Sequence, residues 1–564
     1  PTRRSSDLMT VKHFHSLKRM KHLKVYYDVE DTIFSEVEET NILLMIYRTV
    51  FFRLETFVTK FSMLGTAYSL YKNKSPNYTL KTLSLGMKVL FDMGTELTNL
   101  KLLFKDLMVL ENLQVQITGH SKNVNYQFSH FVDLMTCKPL KYLELWPALK
   151  SDSSQISKFS NYLLLQSNTR IFDESLSRLS SSLRTFKLNY MFMPNMITNN
   201  NVKILHLSKL EQLENLSIEF GLNFLSTYQP ATLVIEMLFA EFAKMKNLKS
   251  LEFLSSKLLD ASLIWKLISS LDKLPKLQSL SIPATKVIQK PFYNSSPLIF
   301  TSNLGTIKLE CIPDTKESAQ SILQAIGKLQ SLSFLQLGLY IDQSQSPTQS
   351  QDYDYDLADL LRLNKLRTLI LSTNITSLFT RNWFNNIAEM IQRNSKLEVF
   401  SLNLLDLSAK HLGREVNSQA VEYELVKPVL EALPSRKAAL SEICLNFYVK
   451  IEEESEISSF LEDFAYMLRV KYLSFFWTFF LRNLRTDTQA RNLMLKLIRN
   501  LPKLGNVSNL HLGIETKNLK EGFCNEKLSE LYTEFYHLKR LSFGQGLPTS
   551  DSFVPKGSGC KIWK

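Results

Sequence analysis

The apolar residues of this chain recur in one pattern, apolar-x-x-apolar-x-apolar, along nearly its whole length. The segment NKLRTLILSTNITSL, residues 364–378, places Leu366, Leu369, Leu371 and Asn374 in the spacing L-x-x-L-x-L-x-x-N. Fourteen other copies begin at Leu80, Leu110, Leu140, Leu183, Leu213, Leu248, Leu277, Leu304, Leu332, Leu397, Leu440, Val470, Val507 and Leu538. Two weaker copies begin at Met20 and Leu54. The copies from Leu248 to Leu332 start 29, 27 and 28 residues apart, which indicates a repeat array.

Each copy alternates apolar and polar residues over about five positions, the period of a half-buried strand. Between copies the period often becomes helical, with apolar residues three and four apart. The segments with this spacing are residues 261–274, 317–329, 381–392, 456–468 and 490–501. One strand and one helix per repeat predict an α/β solenoid. Its parallel sheet would line the inside of a curve, with helices outside.

This pattern resembles the leucine-rich repeat family. The repeat length and the full helices are most similar to the ribonuclease-inhibitor subclass and to the repeats of F-box proteins. The resemblance implies a concave parallel sheet and a convex layer of helices. The chain departs from the family where an asparagine normally follows each strand, because only Asn374 matches. Other copies have Lys88, Thr118, Ser256, Thr285, Tyr340 or Thr478 at that position.

The predicted domain organisation has three parts. Residues 1–8, PTRRSSDL, resemble the translation of a common sequencing-adapter oligonucleotide and are interpreted as non-native. Residues 9–547 are predicted to form a solenoid of about 15–17 irregular repeats, and residues 548–564 a flexible tail. Whether an F-box, a kinase or a signal segment precedes residue 9 stays open.

The sequence has no motif that predicts catalysis. It contains no Walker loop, G-x-G-x-x-G, H-E-x-x-H or G-x-S-x-G segment, so we expect no enzyme, no catalytic residue and no cofactor. The five cysteines are scattered and never form C-x-x-C, which argues against a disulfide framework and a zinc site, and favours a reducing, cytoplasmic location. The longest apolar run, residues 472–481, is half of the ~20 residues that a transmembrane helix needs.

The predicted concave face is nearly neutral. The two positions that flank the middle apolar residue of each copy point to that face, because strand side chains alternate. Among them, Glu144, Glu252 and Glu442 balance Lys187, Lys308 and Arg540. The central column is rich in serine, at Ser84, Ser217, Ser281, Ser401, Ser474 and Ser542. The net charge of +13 therefore lies elsewhere on the molecule.

Aromatic residues on the same face are candidate anchors for a partner, because exposed aromatics often dominate interface energetics. The predicted partner-binding residues are Tyr142, Glu144, Trp146, Phe334, Tyr472 and Phe476. The alternative interpretation of Trp146 is an ordinary core residue that caps the end of its strand, since Pro147 follows it.

Basic residues recur directly after the first apolar residue of a copy. This predicted basic rim consists of Lys81, Lys141, Arg184, Lys249, Arg367, Lys471 and Lys539. One interpretation is that these cations lie just beyond helix C-termini and complement the helix dipoles. The rim also fits a docking ridge for an acidic protein, a nucleic acid or a membrane surface.

The leading functional hypothesis is a non-enzymatic scaffold or adaptor that binds another protein on the concave face. One alternative is binding of nucleic acid or an anionic surface by the basic rim. Another is that the array is the recognition segment of a longer enzyme, such as a ubiquitin ligase or a kinase. The sequence does not identify the partner, because a fold does not fix a function.

Overall fold

The computed structural model describes residues 20–25, 36–59, 61, 63–72, 75–89, 94–119, 136, 138–149, 173–190, 197–198, 201–202, 206–220, 229–255, 267–268, 270–271, 274–282, 303–311, 316–340, 355–373, 379–404, 421–433, 440–450, 473–480, 507–515 and 540–544. The chain divides into two units. Unit 1 comprises residues Pro1–Lys257 and Lys266–Leu277, and unit 2 comprises Leu258–Trp265 and Gln278–Lys564.

Unit 1 contains a parallel sheet with one strand per sequence repeat. Its described strands are β1 (His22–Val25), β2 (Thr56–Thr59), β3 (Thr82–Val89), β4 (Asn112–Gly119), β5 (Tyr142–Leu149), β6 (Thr185–Tyr190), β7 (Ile197–Thr198), β8 (Asn201–Val202), β9 (Asn215–Phe220) and β10 (Ser250–Ser255). The sheet order is β1-β2-β3-β4-β5-β6-β9-β10, and every pair is parallel. Strands β7 and β8 form a separate antiparallel pair.

Unit 2 repeats this arrangement. Its described strands are β11 (Ser279–Ile282), β12 (Thr306–Cys311), β13 (Phe334–Leu339), β14 (Thr368–Thr373), β15 (Val399–Asn403), β16 (Val421–Glu422), β17 (Glu442–Lys450), β18 (Leu473–Phe480), β19 (Val507–Glu515) and β20 (Arg540–Gly544). The parallel order is β11-β12-β13-β14-β15-β17-β18-β19-β20. The short strand β16 pairs with the end of β17.

Helices connect many of the strands. They are α1 (Glu36–Thr49), α2 (Leu64–Leu70), α3 (Gly94–Asp106) and α4 (Gln229–Phe242) in unit 1, and α5 (Lys316–Gly327), α6 (Arg381–Arg393) and α7 (Tyr423–Ala432) in unit 2. Short 3-10 helices span Phe51–Arg53, Leu207–Lys209 and Leu357–Arg362. None of the helices in the described ranges has the length and apolar character needed to cross a bilayer.

The two faces of the sheet differ because side chains alternate along each strand. In β3, Leu83 and Leu85 are buried, whereas Thr82 and Ser84 are half-buried. Strand β14 shows the same alternation over all six residues. The buried face packs against helices in unit 1, where the Phe253 ring of β10 lies 5.5 Å from Phe239 of α4. We call the other face, formed by the half-buried side chains, the open face.

A backbone ladder joins successive repeats where their strands begin. The carbonyl oxygen of Lys81 accepts N–H bonds of 3.0 Å from both Glu111 and Asn112. In unit 2, the carbonyl of Ser333 accepts bonds of 2.7 and 3.1 Å from Arg367 and Thr368. Each repeat thus satisfies its neighbour's backbone donors, which fixes the register of the array.

The predicted strands and repeat-like parallel sheet are confirmed, since each of the seventeen sequence copies contains a described parallel strand. Two predicted helices, 317–329 and 381–392, correspond to α5 and α6. The predicted helices at 456–468 and 490–501, most of the one at 261–274, Asn374, the segment 1–8 and the tail 548–564 lie outside the described residues.

Candidate functional site: the open face of the sheet

The open face of unit 1 carries a polar cluster centred on Glu144 of β5. Glu144 Oε2 accepts hydrogen bonds from the Tyr142 hydroxyl and from Gln114 Nε2, the latter at 3.1 Å. Lys187 of β6 lies opposite Glu144 in the parallel register, and its Nζ is 6.0 Å from the centre of the Tyr142 ring. Three adjacent strands therefore hold an aromatic ring, a carboxylate and a cation together.

Tyr142 is held as a neutral hydrogen-bond donor. Partial burial, together with the hydrogen bond to the Glu144 carboxylate, raises the pKa of the Tyr142 hydroxyl to about 12. The phenol therefore keeps its proton at neutral pH and keeps the carboxylate oriented. With a cation near its ring, Tyr142 has the features of a rigid amphipathic contact residue.

Further hydrogen bonds between strands order the rest of this face. Asn112 Nδ2 donates to Thr82 Oγ1 at 3.1 Å, and Asn215 Nδ2 donates to Thr185 Oγ1 at 3.2 Å. These side chains occupy neighbouring strands and form lateral rungs. Because their partners lie about 30 residues away in sequence, the rungs depend on the repeat register.

The β9–β10 end of the unit 1 open face is acidic. Ser217 Oγ donates to Glu252 Oε2 at 2.8 Å. Burial, together with the negative charge of Glu252, raises the pKa of the nearby Glu219 carboxyl. Two carboxylates thus stand close together on adjacent strands, beyond the Tyr142 cluster.

Unit 2 has a more apolar open face around Phe334. Phe334, Ile370 and Val399 are half-buried on the successive strands β13, β14 and β15. Lys308 Nζ of β12 lies 5.3 Å from the centre of the Phe334 ring. The region therefore has an aromatic ring with a cation near it, and half-buried aliphatic side chains on the next two strands.

Gly338 continues this region of β13. A Cβ atom at Gly338 would lie 2.7 Å from the Tyr340 ring and 2.8 Å from Glu310 Cγ. The Tyr340 and Glu310 side chains would therefore have to shift if residue 338 carried a side chain. Gln336 Nε2 also donates to Glu310 Oε1 at 3.0 Å, so the polar edge of the region is ordered.

The structure describes the side chains of only some of the predicted anchors. Tyr142, Glu144 and Phe334 lie on the open face as described above. Trp146 and Phe476 lie within β5 and β18, where they pair with Gln116 and His511, but their side chains are outside the described part. Tyr472 falls wholly outside it.

The basic rim is interleaved with glutamates. At the same repeat position, Lys141 Nζ is 2.7 Å from Glu111, and Arg184 and Lys249 lie 3.2 and 2.8 Å from Glu214. In unit 2, Arg367 lies 3.3 Å from Glu398. Lys81 lies close enough to Glu55 to help lower the pKa of that carboxyl, mainly set by the hydrogen bond from Lys21. Lys471 and Lys539 are outside the described residues.

These ion pairs change the interpretation of the rim. Its described cations belong to a ladder of alternating charges rather than to an uninterrupted positive ridge. Because the pairs are exposed, each contributes little to stability. The signal was present in the sequence, since Glu55, Glu111, Glu214 and Glu398 occupy the same repeat position as the cations.

Buried polar residues that connect repeats were not predicted. Asn77 is 1% exposed; its Oδ1 accepts from the Thr79 and Leu80 N–H groups at 2.8 and 2.9 Å, and its Nδ2 donates to Phe51 O at 3.2 Å. Glu96 of α3 accepts hydrogen bonds from Gly65 N and Thr66 N at the start of α2. Burial raises the pKa of the Glu96 carboxyl against the effect of these donors.

Among the described residues, no group of histidine, cysteine, aspartate or glutamate side chains is arranged to hold a metal ion. Cys444 lies half-buried on the open face of β17. Burial raises the pKa of its thiol, although a side-chain hydrogen bond involving Ser401 acts in the opposite direction. The thiol form is therefore favoured at neutral pH.

Comparisons with known proteins add little to this picture. No protein-family model matches the chain, and none of the curated proteins matches it. Among the solved structures similar to it is a crystal structure of a protein from Bacteroides fragilis, a target of the Northeast Structural Genomics Consortium. That likeness covers 65% of this chain and 81% of the other, at 13% identity and a TM-score of 0.27. Such a low TM-score supports no conclusion about function.

Proposed function

We propose that this protein is a non-enzymatic scaffold of the leucine-rich repeat type, which binds another protein on the open face of its parallel sheet. In this proposal the sheet is curved, the open face is concave, and the repeats are of the ribonuclease-inhibitor type. The repeat-like parallel sheet supports the proposal, since repeat arrays commonly use such surfaces for partners.

The observation that carries the proposal is the presence of a half-buried aromatic anchor on the open face of each unit. Tyr142 is fixed by Glu144, and the Phe334 ring lies near Lys308 Nζ. Rigid aromatic side chains lose little entropy on binding and are frequent hot spots of interfaces. The leucines of the repeats are buried and are therefore not available for a partner.

The size of the face also suits a protein. Strands lie about 4.8 Å apart, so the eight sheet strands of unit 1 give a face about 34 Å across. By the same spacing, the nine sheet strands of unit 2 give a face about 38 Å across. Surfaces of this width match a standard protein interface better than a small-molecule pocket.

The test begins with a pull-down that identifies a partner, followed by binding measurements with the purified pair. Tyr142→Ala and Phe334→Ala are compared with Leu102→Ala, because Leu102 is 42% exposed on helix α3. We expect at least one face variant to weaken binding about tenfold or more. Normal binding by both, with loss in a Lys81→Gln, Lys141→Gln variant, would assign the site to the rim instead.

A further inference from the structure

Three of the five exposed large apolar side chains in the described part of the chain lie near one edge of unit 1. The five are Val37, Leu70, Tyr78, Leu102 and Met108, between 42% and 69% exposed. Leu70 is the last residue of α2, and Tyr78 and Met108 lie between the end of a helix and the start of the next strand. We call the edge that carries these three residues the helix-end edge.

Tyr78 and Met108 lie side by side. The preceding residues, Asn77 and Leu107, form an isolated parallel bridge, and Met108 N donates to Asn77 O at 2.9 Å. Asn77 and Leu107 are buried, whereas Tyr78 is 66% and Met108 49% exposed. The two side chains therefore form one apolar projection on adjacent segments.

This projection stands on a fixed backbone. The buried Asn77 side chain bonds the N–H groups of Thr79 and Leu80 and the Phe51 carbonyl. Asn77 N also donates to Asp106 O at 2.7 Å, which ties the segment to the end of α3. Tyr78 and Met108 are therefore exposed on an ordered backbone.

Positive charge surrounds the projection. Near the helix-end edge, the described segments 48–55, 70–72, 75–81, 105–111 and 138–141 contain seven cations against three carboxylates. The cations are Arg48, Arg53, Lys72, Lys81, Lys105, Lys138 and Lys141. Lys138 Nζ donates to Lys105 O at 3.1 Å, which brings the next repeat to the end of α3.

The three carboxylates cancel only part of this charge. Glu55 pairs with Lys21, and Glu111 pairs with Lys141, both at 2.7 Å. Asp106 Oδ2 accepts a hydrogen bond of 2.6 Å from the Tyr68 hydroxyl. The edge therefore combines excess positive charge with exposed apolar side chains.

We propose that the helix-end edge of unit 1 docks onto an anionic phospholipid surface. Tyr78 and Met108 would enter the interfacial region, where an amphipathic tyrosine and a flexible thioether side chain are both well accommodated. Lys72, Lys81 and Lys105 would lie at the level of the headgroups and attract anionic lipids. Nucleic acid fits less well, because exposed Leu70 and Met108 add nothing to phosphate binding or base stacking.

The experiment is vesicle co-sedimentation of the full chain. Vesicles of phosphatidylcholine are compared with vesicles in which about one quarter of the lipid is phosphatidylserine. The apolar variant is Tyr78→Ser with Met108→Ser, and its matched control is Val37→Ser with Leu102→Ser. The charge variant is Lys72→Gln with Lys105→Gln, matched by Lys328→Gln with Lys396→Gln in unit 2. Thermal melts check that every variant is folded.

We expect sedimentation only with phosphatidylserine, weakened by added salt and reduced about fivefold for each lysine removed from the edge. The apolar variant should also lose binding, while both matched controls retain it. The proposal is wrong if phosphatidylserine vesicles do not bind the chain. It is also wrong if the apolar variant binds normally, and retention on immobilised RNA by that variant would then assign the edge to nucleic acid.

Discussion

Asn394 provides a stringent test of how neighbouring repeats hold each other. This residue follows α6 and is 0% exposed. Its Oδ1 accepts a 2.8 Å bond from Leu366 N, and its Nδ2 donates to the Leu363 and Met390 carbonyls at 3.0 and 2.8 Å. Met390 O also accepts from Asn394 N, so Asn394→Ala leaves two buried backbone groups unpaired. At about 1–3 kcal/mol for each group, the loss is about 2–6 kcal/mol.

Urea denaturation and hydrogen exchange measure this loss. Asn364→Ala is the control, because Asn364 is exposed. Asn394→Asp should be at least as damaging, since a carboxylate cannot donate to the two carbonyls. A loss below about 1 kcal/mol would refute the reasoning. It would mean that Leu366 N–H bonds the carbonyl three residues earlier, as Leu332 N bonds Leu329 O.

Three further predictions concern stability. Gly327→Ala should cost about 1–3 kcal/mol in urea denaturation, because its Cβ would lie 2.2 Å from Asp359 O. Gly305→Ala should be nearly neutral, because its Cβ would lie 3.8 Å from Ser331 O, an ordinary van der Waals contact. Leu369→Asp should cost several kcal/mol, because Leu369 is fully buried in β14, and hydrogen exchange should quicken in β13 and β15. The pKa of Glu214 is lowered, mainly by the hydrogen bond from Lys249. The wild-type protein should therefore be more stable than the Glu214→Gln variant above pH 4.5. That difference should vanish as pH falls through the lowered pKa, and an unchanged difference in acid would contradict the pairing.

The sequence was sufficient to predict the strands because the same few leucines specify them in every repeat. Leu366, Leu369 and Leu371 are all buried, as their spacing requires. The Leu357–Arg362 segment forms a 3-10 helix, and Asp356 caps it through a bond from Ala358 N. Its six residues make only two 3-10 turns, too few for a helix to be recognised from apolar spacing.

The side chains that join repeats were harder to predict. Asn77 and Asn394 both stand three residues before the first leucine of a copy, and each bonds nearby groups as well as at least one group in another repeat. Glu96 likewise bonds Gly65 and Thr66, about thirty residues away. The sequence alone does not distinguish an asparagine or glutamate on the surface from one at such a junction between repeats. Only the register of the array decides which role it has.

The strand face of the candidate residues was easier to predict than their contacts. The alternation of each strand predicted that Tyr142 and Glu144 in unit 1, and Phe334 in unit 2, lie opposite the buried leucines of their own strands. Their neighbours Gln114, Lys187 and Lys308 come from adjacent repeats. The cluster therefore emerges from lateral pairing, which a single copy of the repeat does not contain.

Site-specific photo-crosslinking tests the central claim most directly. A photoreactive amino acid is placed at Gln114 or Gln336 on the open face, or at the exposed helical positions Lys101 or Arg393. With the purified partner, we expect crosslinks from at least one open-face position and none from the helical positions. Crosslinks from the helical positions alone would contradict the account, because the partner would then bind the helices instead of the sheet.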